Sequence, residues 1–131
     1  MTAQDAYILA LKNYSEFKKN KDYYESIIAT DFEYSYYYAY YVLEGRFEKG
    51  EPVIATNGES SYDYAREIVK GRFELGEKAL AKSDSIAYNY AKHTIRGRFE
   101  LGEYIIFTRK YYIPYYMTYI NDKTPIYYKF I

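Results

Sequence analysis

The chain holds 131 residues, about one domain's worth, and can bury a core without disulfide or metal staples. With no Cys and a single His, it excludes a disulfide framework, a thiolate nucleophile and zinc sites built on sulfur or clustered imidazoles. Lys plus Arg and Asp plus Glu both total 18, so the net charge is zero and any basic patch must be local.

In chain order, the first predicted element is a helix from about Thr2, whose hydroxyl is placed to cap it with Asp5 three residues on. The residues from Asp22 to Thr30 close a degenerate unit, because ESIIAT at Glu25 returns as EPVIAT at Glu51, 26 residues later. From there the period is plain. GRFEKGE begins at Gly45 and GRFELGE at Gly71 and Gly97, each preceded at constant distance by Tyr-x-Tyr-Ala from Tyr36, Tyr62 and Tyr88.

Each unit reads as two short helices. Helix A is exemplified by SYDYAREIVK from Ser61, stopped by Gly71 as a left-handed C-terminal residue. Helix B is ELGEKALAK, acidic in its first turn and closed by a turn at Ser83-Asp84-Ser85. Downstream, Tyr116 keeps the register, and a last helix is predicted to open at Thr124 with Pro125 at its first position. The runs YSYYYAYYV and YIIFTRKYYI have strand propensity, but the register assigns both to helices.

The fold expected is therefore all-α: a small right-handed α-solenoid of paired short helices, about five stacked 26-residue repeats. Strong repeats span 35–112, with degenerate capping units over 1–34 and 113–131 of a single domain. No run reaches the roughly 18 to 20 apolar residues of a membrane span, and the opening MTAQDAYILALKNY lacks a basic leader and cleavage site. The expectation is a soluble, cytoplasmic protein.

Comparing the three good copies separates positions by their physics. Tyr36, Ala39 and Leu43, with their equivalents, form an apolar stripe expected to face the core, and Tyr38 with Val42 and Tyr64 with Ile68 form a second on an adjoining flank. Phe47, Phe73 and Phe99 read as core plugs. Arg46, Arg72 and Arg98 are expected to pair with Glu51, Glu77 and Glu103 or to donate to helix-end carbonyls at the corner between helices. Gly50, Gly76 and Gly102 sit where glycine is unfavourable in a helix, which calls for close packing against a helix or ring.

The copies differ along one remaining stripe of helix A. It carries Tyr37, Tyr40, Tyr41 and Glu44, then Asp63, Arg66, Glu67 and Lys70, then Asn89, Lys92, His93 and Arg96. Stacked side by side, these make one surface grading from aromatic to basic, a candidate partner-binding face. Tyrosine is the anomaly of the composition, at 22 residues beside 7 Phe and no Trp, and it is a residue enriched in interfaces. The alternative is that Tyr23, Tyr24 and the first helix cover the aromatic end. A second Tyr cluster, from Tyr111 through Tyr119 to Tyr127 and Tyr128, suggests self-association or burial of the tail. Nothing forms a Ser/His/Asp arrangement, a Gly-rich phosphate loop or an HExxH pattern, so neither catalysis nor a cofactor or metal is expected.

The units YDYAREIVKGRFELGE and YNYAKHTIRGRFELGE resemble short tandem helical repeats of bacteriophage-encoded and some bacterial proteins of undefined function, over about residues 35–112. In the commonest form of that pattern the aromatic is Trp followed by Pro, where Phe and Glu stand here. The resemblance implies an α-solenoid and, for a small phage protein, a host-takeover or counter-defence role. Two functional readings stay open. The leading one is a non-enzymatic interaction module that binds and inhibits a host protein, a nuclease or a CRISPR effector among the candidates. The other is a nucleic-acid-binding repeat using Arg66, Lys70, Lys92 and Arg96, with a self-assembling structural protein as a third possibility.

Overall fold

A computed structural model describes residues 1–120; Thr124, Pro125, Tyr127 and Tyr128, and with them the expected last helix, lie outside the described residues. Among the described residues every regular element is helical. The chain begins with α1 (Ala3–Lys12), α2 (Tyr14–Lys18) and α3 (Lys21–Ile28). The reciprocal cap expected at Thr2 is formed: the Asp5 amide donates to the Thr2 hydroxyl at 3.1 Å and the Thr2 amide to the Asp5 carboxylate at 3.0 Å.

Three copies of one motif follow. The first runs from α4 (Phe32–Tyr37) to α5 (Glu51–Ile54), the second from α6 (Gly58–Tyr64) to α7 (Glu77–Leu80), the third from α8 (Asp84–Asn89) to α9 (Glu103–Phe107). Each opens on a side-chain cap at one register position: Asp31, Asn57 or Ser83 accepts from backbone amides of the first turn. Ser83 thus begins a helix A, where the sequence reading made it the end of helix B.

Helix A is not one α-helix. After its first turns it widens into a π segment, Tyr38–Leu43, Ala65–Val69 and Tyr90–Ile95. It ends on Glu44, Lys70 and Arg96 at φ of 51°, 58° and 55°, the left-handed region. The expected left-handed residue, Gly71, is therefore displaced by one position, and none of the described glycines has positive φ. The amides of Gly45, Gly71 and Gly97 reach back to the carbonyls of Ala39, Ala65 and Ala91 at 3.2, 3.3 and 3.2 Å, closing the wide turn. A π turn adds a residue and rotates the face by about 100°. Of the expected core stripe, Ala39, Ala65 and Ala91 are wholly buried, but Leu43, Val69 and Ile95, at the far end of the wide turn, are only half-buried; at its start Tyr38, Tyr64 and Tyr90 are wholly buried.

Helix B is also composite, a single 3-10 turn (Glu48–Gly50, Glu74–Gly76, Glu100–Gly102) leading into the short α-helix. Its Ile54, Leu80 and Ile106 complete the core with Ile28 of α3, which stands one period earlier. Phe47, Phe73 and Phe99 are the expected plugs, and the Tyr38 ring meets Phe47 edge-on at 4.8 Å. The last described helix, α10 (Tyr112–Tyr119), supplies Tyr116 at the register position of the buried tyrosines and closes the array.

Candidate functional site

The repeated Glu51, Glu77 and Glu103 are buried, and the repeated arginines reach in to them from the surface. Arg46 grips Glu51 through two bonds of 2.8 Å, Arg72 grips Glu77 at 3.0 and 3.1 Å, and Arg98 donates to Glu103 at 2.7 Å. The same carboxylates accept from the hydroxyls of Tyr64, Tyr90 and Tyr116 in the following unit. Each hydroxyl in turn accepts from the amide of Phe47, Phe73 or Phe99, at 2.9, 2.8 and 2.9 Å. One relay of Arg, Glu and Tyr thereby fastens each corner to the next unit. The Arg46 guanidinium, with help from the Tyr64 hydroxyl, holds the Glu51 carboxyl below its ordinary range.

At the N-terminal end the relay is improvised. Glu25 receives the Tyr38 hydroxyl at 2.7 Å, but Asn20 stands where an Arg would be. Lys49 fills the gap, with its Nζ at 3.3 Å from Glu25 and 3.0 Å from Asp22; the other copies carry Leu75 and Leu101 at that position.

The variable stripe stays largely outside, and the π segments of consecutive copies pack against one another. Its members fare differently. Tyr37 is drawn against Tyr7 of α1 at 6.0 Å and is half-covered, so the first helix shields that one ring. Tyr40 and Tyr41 remain 42% and 58% exposed, edge to face at 4.8 Å. Tyr41 also lines a shallow groove of about 390 Å³ with Ala10, Leu11, Tyr14 and Val42. Tyr23 and Tyr24 do not cover this end; they form a chain with Phe17, on which Tyr24 stacks at 5.4 Å.

In the middle copy Asp63, Arg66 and Glu67 are exposed, with Arg66 and Glu67 3.5 Å apart. Partial burial, then the charges of Glu59 and Glu67, push the Asp63 carboxyl up. In the third copy Asn89 is half-buried, and Lys92 lies over the rings of Tyr88 and Tyr119 at 5.8 and 5.9 Å. Tyr88 itself stacks on Tyr112 at 4.4 Å, so part of the C-terminal tyrosine cluster closes the array, while Tyr111 and Tyr115 stay exposed.

Arg66, Lys70, His93 and Arg96 converge. With Thr94 they line a groove of about 480 Å³ between the second and third π segments. Burial first, then Lys92, Arg66 and Arg96, hold the His93 imidazole below its ordinary pKa. Thr94 is the member sequence reasoning missed. Its signal was available: the same position holds Val42 and Ile68 in the other copies, so Thr94 breaks an apolar stripe.

Compared with family models, curated proteins and solved structures, the chain finds no match in any of the three. Among the described residues no group of His, Cys, Asp and Glu could hold a metal ion, and no helix is long and apolar enough to cross a membrane.

Proposed function

We propose that this protein is a non-enzymatic interaction module, a small helical repeat scaffold whose variable face docks on another protein and blocks it. One observation carries the reading. The recurring Tyr, Phe, Gly and Glu51-type positions are spent on the relay and the core, while nine of the twelve residues on the helix A stripe that differs among copies are exposed. The left-handed ends sharpen the point. A non-glycine residue there costs about 1–2 kcal/mol, yet all three copies carry a long charged side chain, Glu44, Lys70 and Arg96. Tyr40 and Tyr41 supply the rigid aromatic area that protein interfaces favour. The likeness of the units to phage-borne repeats makes a host defence protein, such as a nuclease or CRISPR effector, the first class of target to try.

The test is capture from a bacterial lysate by the wild-type chain and by a Tyr40→Ser/Tyr41→Ser variant whose thermal midpoint is checked. The expected result is a specific partner lost from the variant, with its affinity falling at least about tenfold when remeasured with purified components. Equal recovery of every partner by both chains would refute the role of this face. The second reading, nucleic-acid binding, is favoured by the groove of Arg66, Lys70, His93 and Arg96. A salt-dependent gel shift with single-stranded and duplex RNA and DNA addresses it directly.

A further inference from the structure

The groove between the second and third π segments differs from the rest of the face in three respects. It gathers Arg66, Lys70, His93 and Arg96 around one cavity of about 480 Å³, within the range of roughly 300–1,000 Å³ typical of small-ligand pockets. Among the described residues Lys70 and Arg96 have no acidic partner, and Arg66 has only Glu67, at 3.5 Å. Thr94, on the wall of the groove, has its hydroxyl buried with no hydrogen-bond partner. A buried hydroxyl without a partner is costly, and the two other copies avoid that cost with Val42 and Ile68.

The repeat supplies its own control. One period earlier, the five lining positions hold Tyr40, Glu44, Glu67, Ile68 and Lys70, with two acids and an apolar residue in place of the hydroxyl. The basic groove is therefore not an outcome of the stacking geometry. It is particular to the junction of the second and third copies, and its charge is confined there, since the face beyond it carries Glu44, Asp63 and Glu67.

We propose that this groove binds a phosphate group carried by a small ligand, a nucleotide or free phosphate. Guanidinium forks and an ammonium supply the charge-assisted donors such an oxyanion needs. A nucleic-acid backbone fits less well, because a run of phosphates needs cations spaced along a path and the basic residues here are clustered. The inference holds with or without a protein partner on the aromatic end.

His93 is the chain's only histidine, so its ring resonances report on this groove alone. Its titration is followed by NMR on the intact chain in chloride, then with inorganic phosphate and with AMP at matched ionic strength. A bound dianion raises the midpoint; the expected rise is about half a unit or more, equal to about threefold tighter binding to the imidazolium form. The decisive variant is Lys70→Gly/Arg96→Gly. Glycine is relaxed at both left-handed positions, so the variant removes two charges while leaving the thermal midpoint at or above that of the wild type. It should lose the shift and at least about tenfold in affinity, whereas Glu44→Gly, the same backbone change in the first copy, should keep both. AMP binding more tightly than phosphate identifies a nucleotide, and equal binding identifies the bare anion; either supports the site. No saturable shift with either probe, up to about ten times a millimolar Kd, would overturn it. So would a shift undiminished in the double variant, or binding seen with single-stranded DNA alone.

Discussion

At the scale of the residue, the buried tyrosines carry the most information. Tyr64 donates to Glu51 and accepts from the Phe47 amide, all three groups being buried. Replacing it with Phe keeps the ring, takes one bond from Glu51, which Arg46 still holds by two, and strands the Phe47 amide; a buried unsatisfied group costs about 1–3 kcal/mol, on top of the lost bond. Tyr64→Phe is therefore expected to destabilise by about 2–4 kcal/mol in urea or guanidinium unfolding. Tyr38 is an internal comparison. Among the described residues its hydroxyl serves Glu25 alone, and Lys49 also bonds that carboxylate, so Tyr38→Phe should cost roughly half as much. Equal losses in the two variants would mean that the amide bond to the hydroxyl contributes nothing.

At the scale of the element, the corner GRF-E-x-G contains two repeated glycines with opposite fates. A Cβ on Gly76 would lie 2.5 Å from the Ser61 hydroxyl oxygen and 2.7 Å from the Phe73 ring, and at Gly50 and Gly102 the Phe47 and Phe99 rings stand as close. Ser61 cannot swing aside freely, because its hydroxyl donates to the Ile54 carbonyl at 3.0 Å. Gly76→Ala is thus expected to lower stability by about 1–3 kcal/mol, the range for an overpacked core. Gly71 has no neighbour within 4 Å of its would-be Cβ and no positive φ, and nothing in the structure explains why glycine recurs there. Gly71→Ala should fall within about 1 kcal/mol of the wild type, both variants being measured by denaturant unfolding. The contrast also shows what was legible in the sequence. The period, the Arg–Glu pairing, the Phe plugs and the tight Gly76 all follow from recurrence, because a position kept at constant spacing is answering the same neighbours each time. The π turn was not legible: no residue type marks it, and helix A ends in the left-handed region at Lys70, one residue before the expected Gly71. The variable face could be drawn from the differences among copies, but the inward turn of Tyr37 involves the Tyr7 ring, and that of Lys92 the Tyr119 ring besides Tyr88, and both Tyr7 and Tyr119 stand outside the three good copies.

At the scale of the whole molecule, the relay makes stability depend on tyrosine staying protonated. Tyr38, Tyr64, Tyr90 and Tyr116 are wholly buried, and burial, followed by the neighbouring Glu25, Glu51, Glu77 and Glu103, pushes each phenol above its ordinary pKa. In the unfolded chain the same phenols ionise near pH 10, as exposed tyrosines do. Below that pH the four contribute their full share to stability; above it the unfolded state releases protons that the folded state retains, and stability falls as pH rises. Each phenol removes about 1.4 kcal/mol per pH unit, so at pH 11 the four together remove about 6 kcal/mol, against a total of about 5–15 for a domain of ordinary stability. Helical circular dichroism should therefore collapse cooperatively at about pH 11 or above, in step with a jump in tyrosinate absorbance. Tyr64→Phe, compared as a slope, should flatten the alkaline limb by about 1.4 kcal/mol per pH unit even though it is less stable at neutrality. Smooth tyrosinate formation centred near pH 10 with helicity intact would show that the relay phenols ionise in place, and that the ladder joining the units does not depend on their protons.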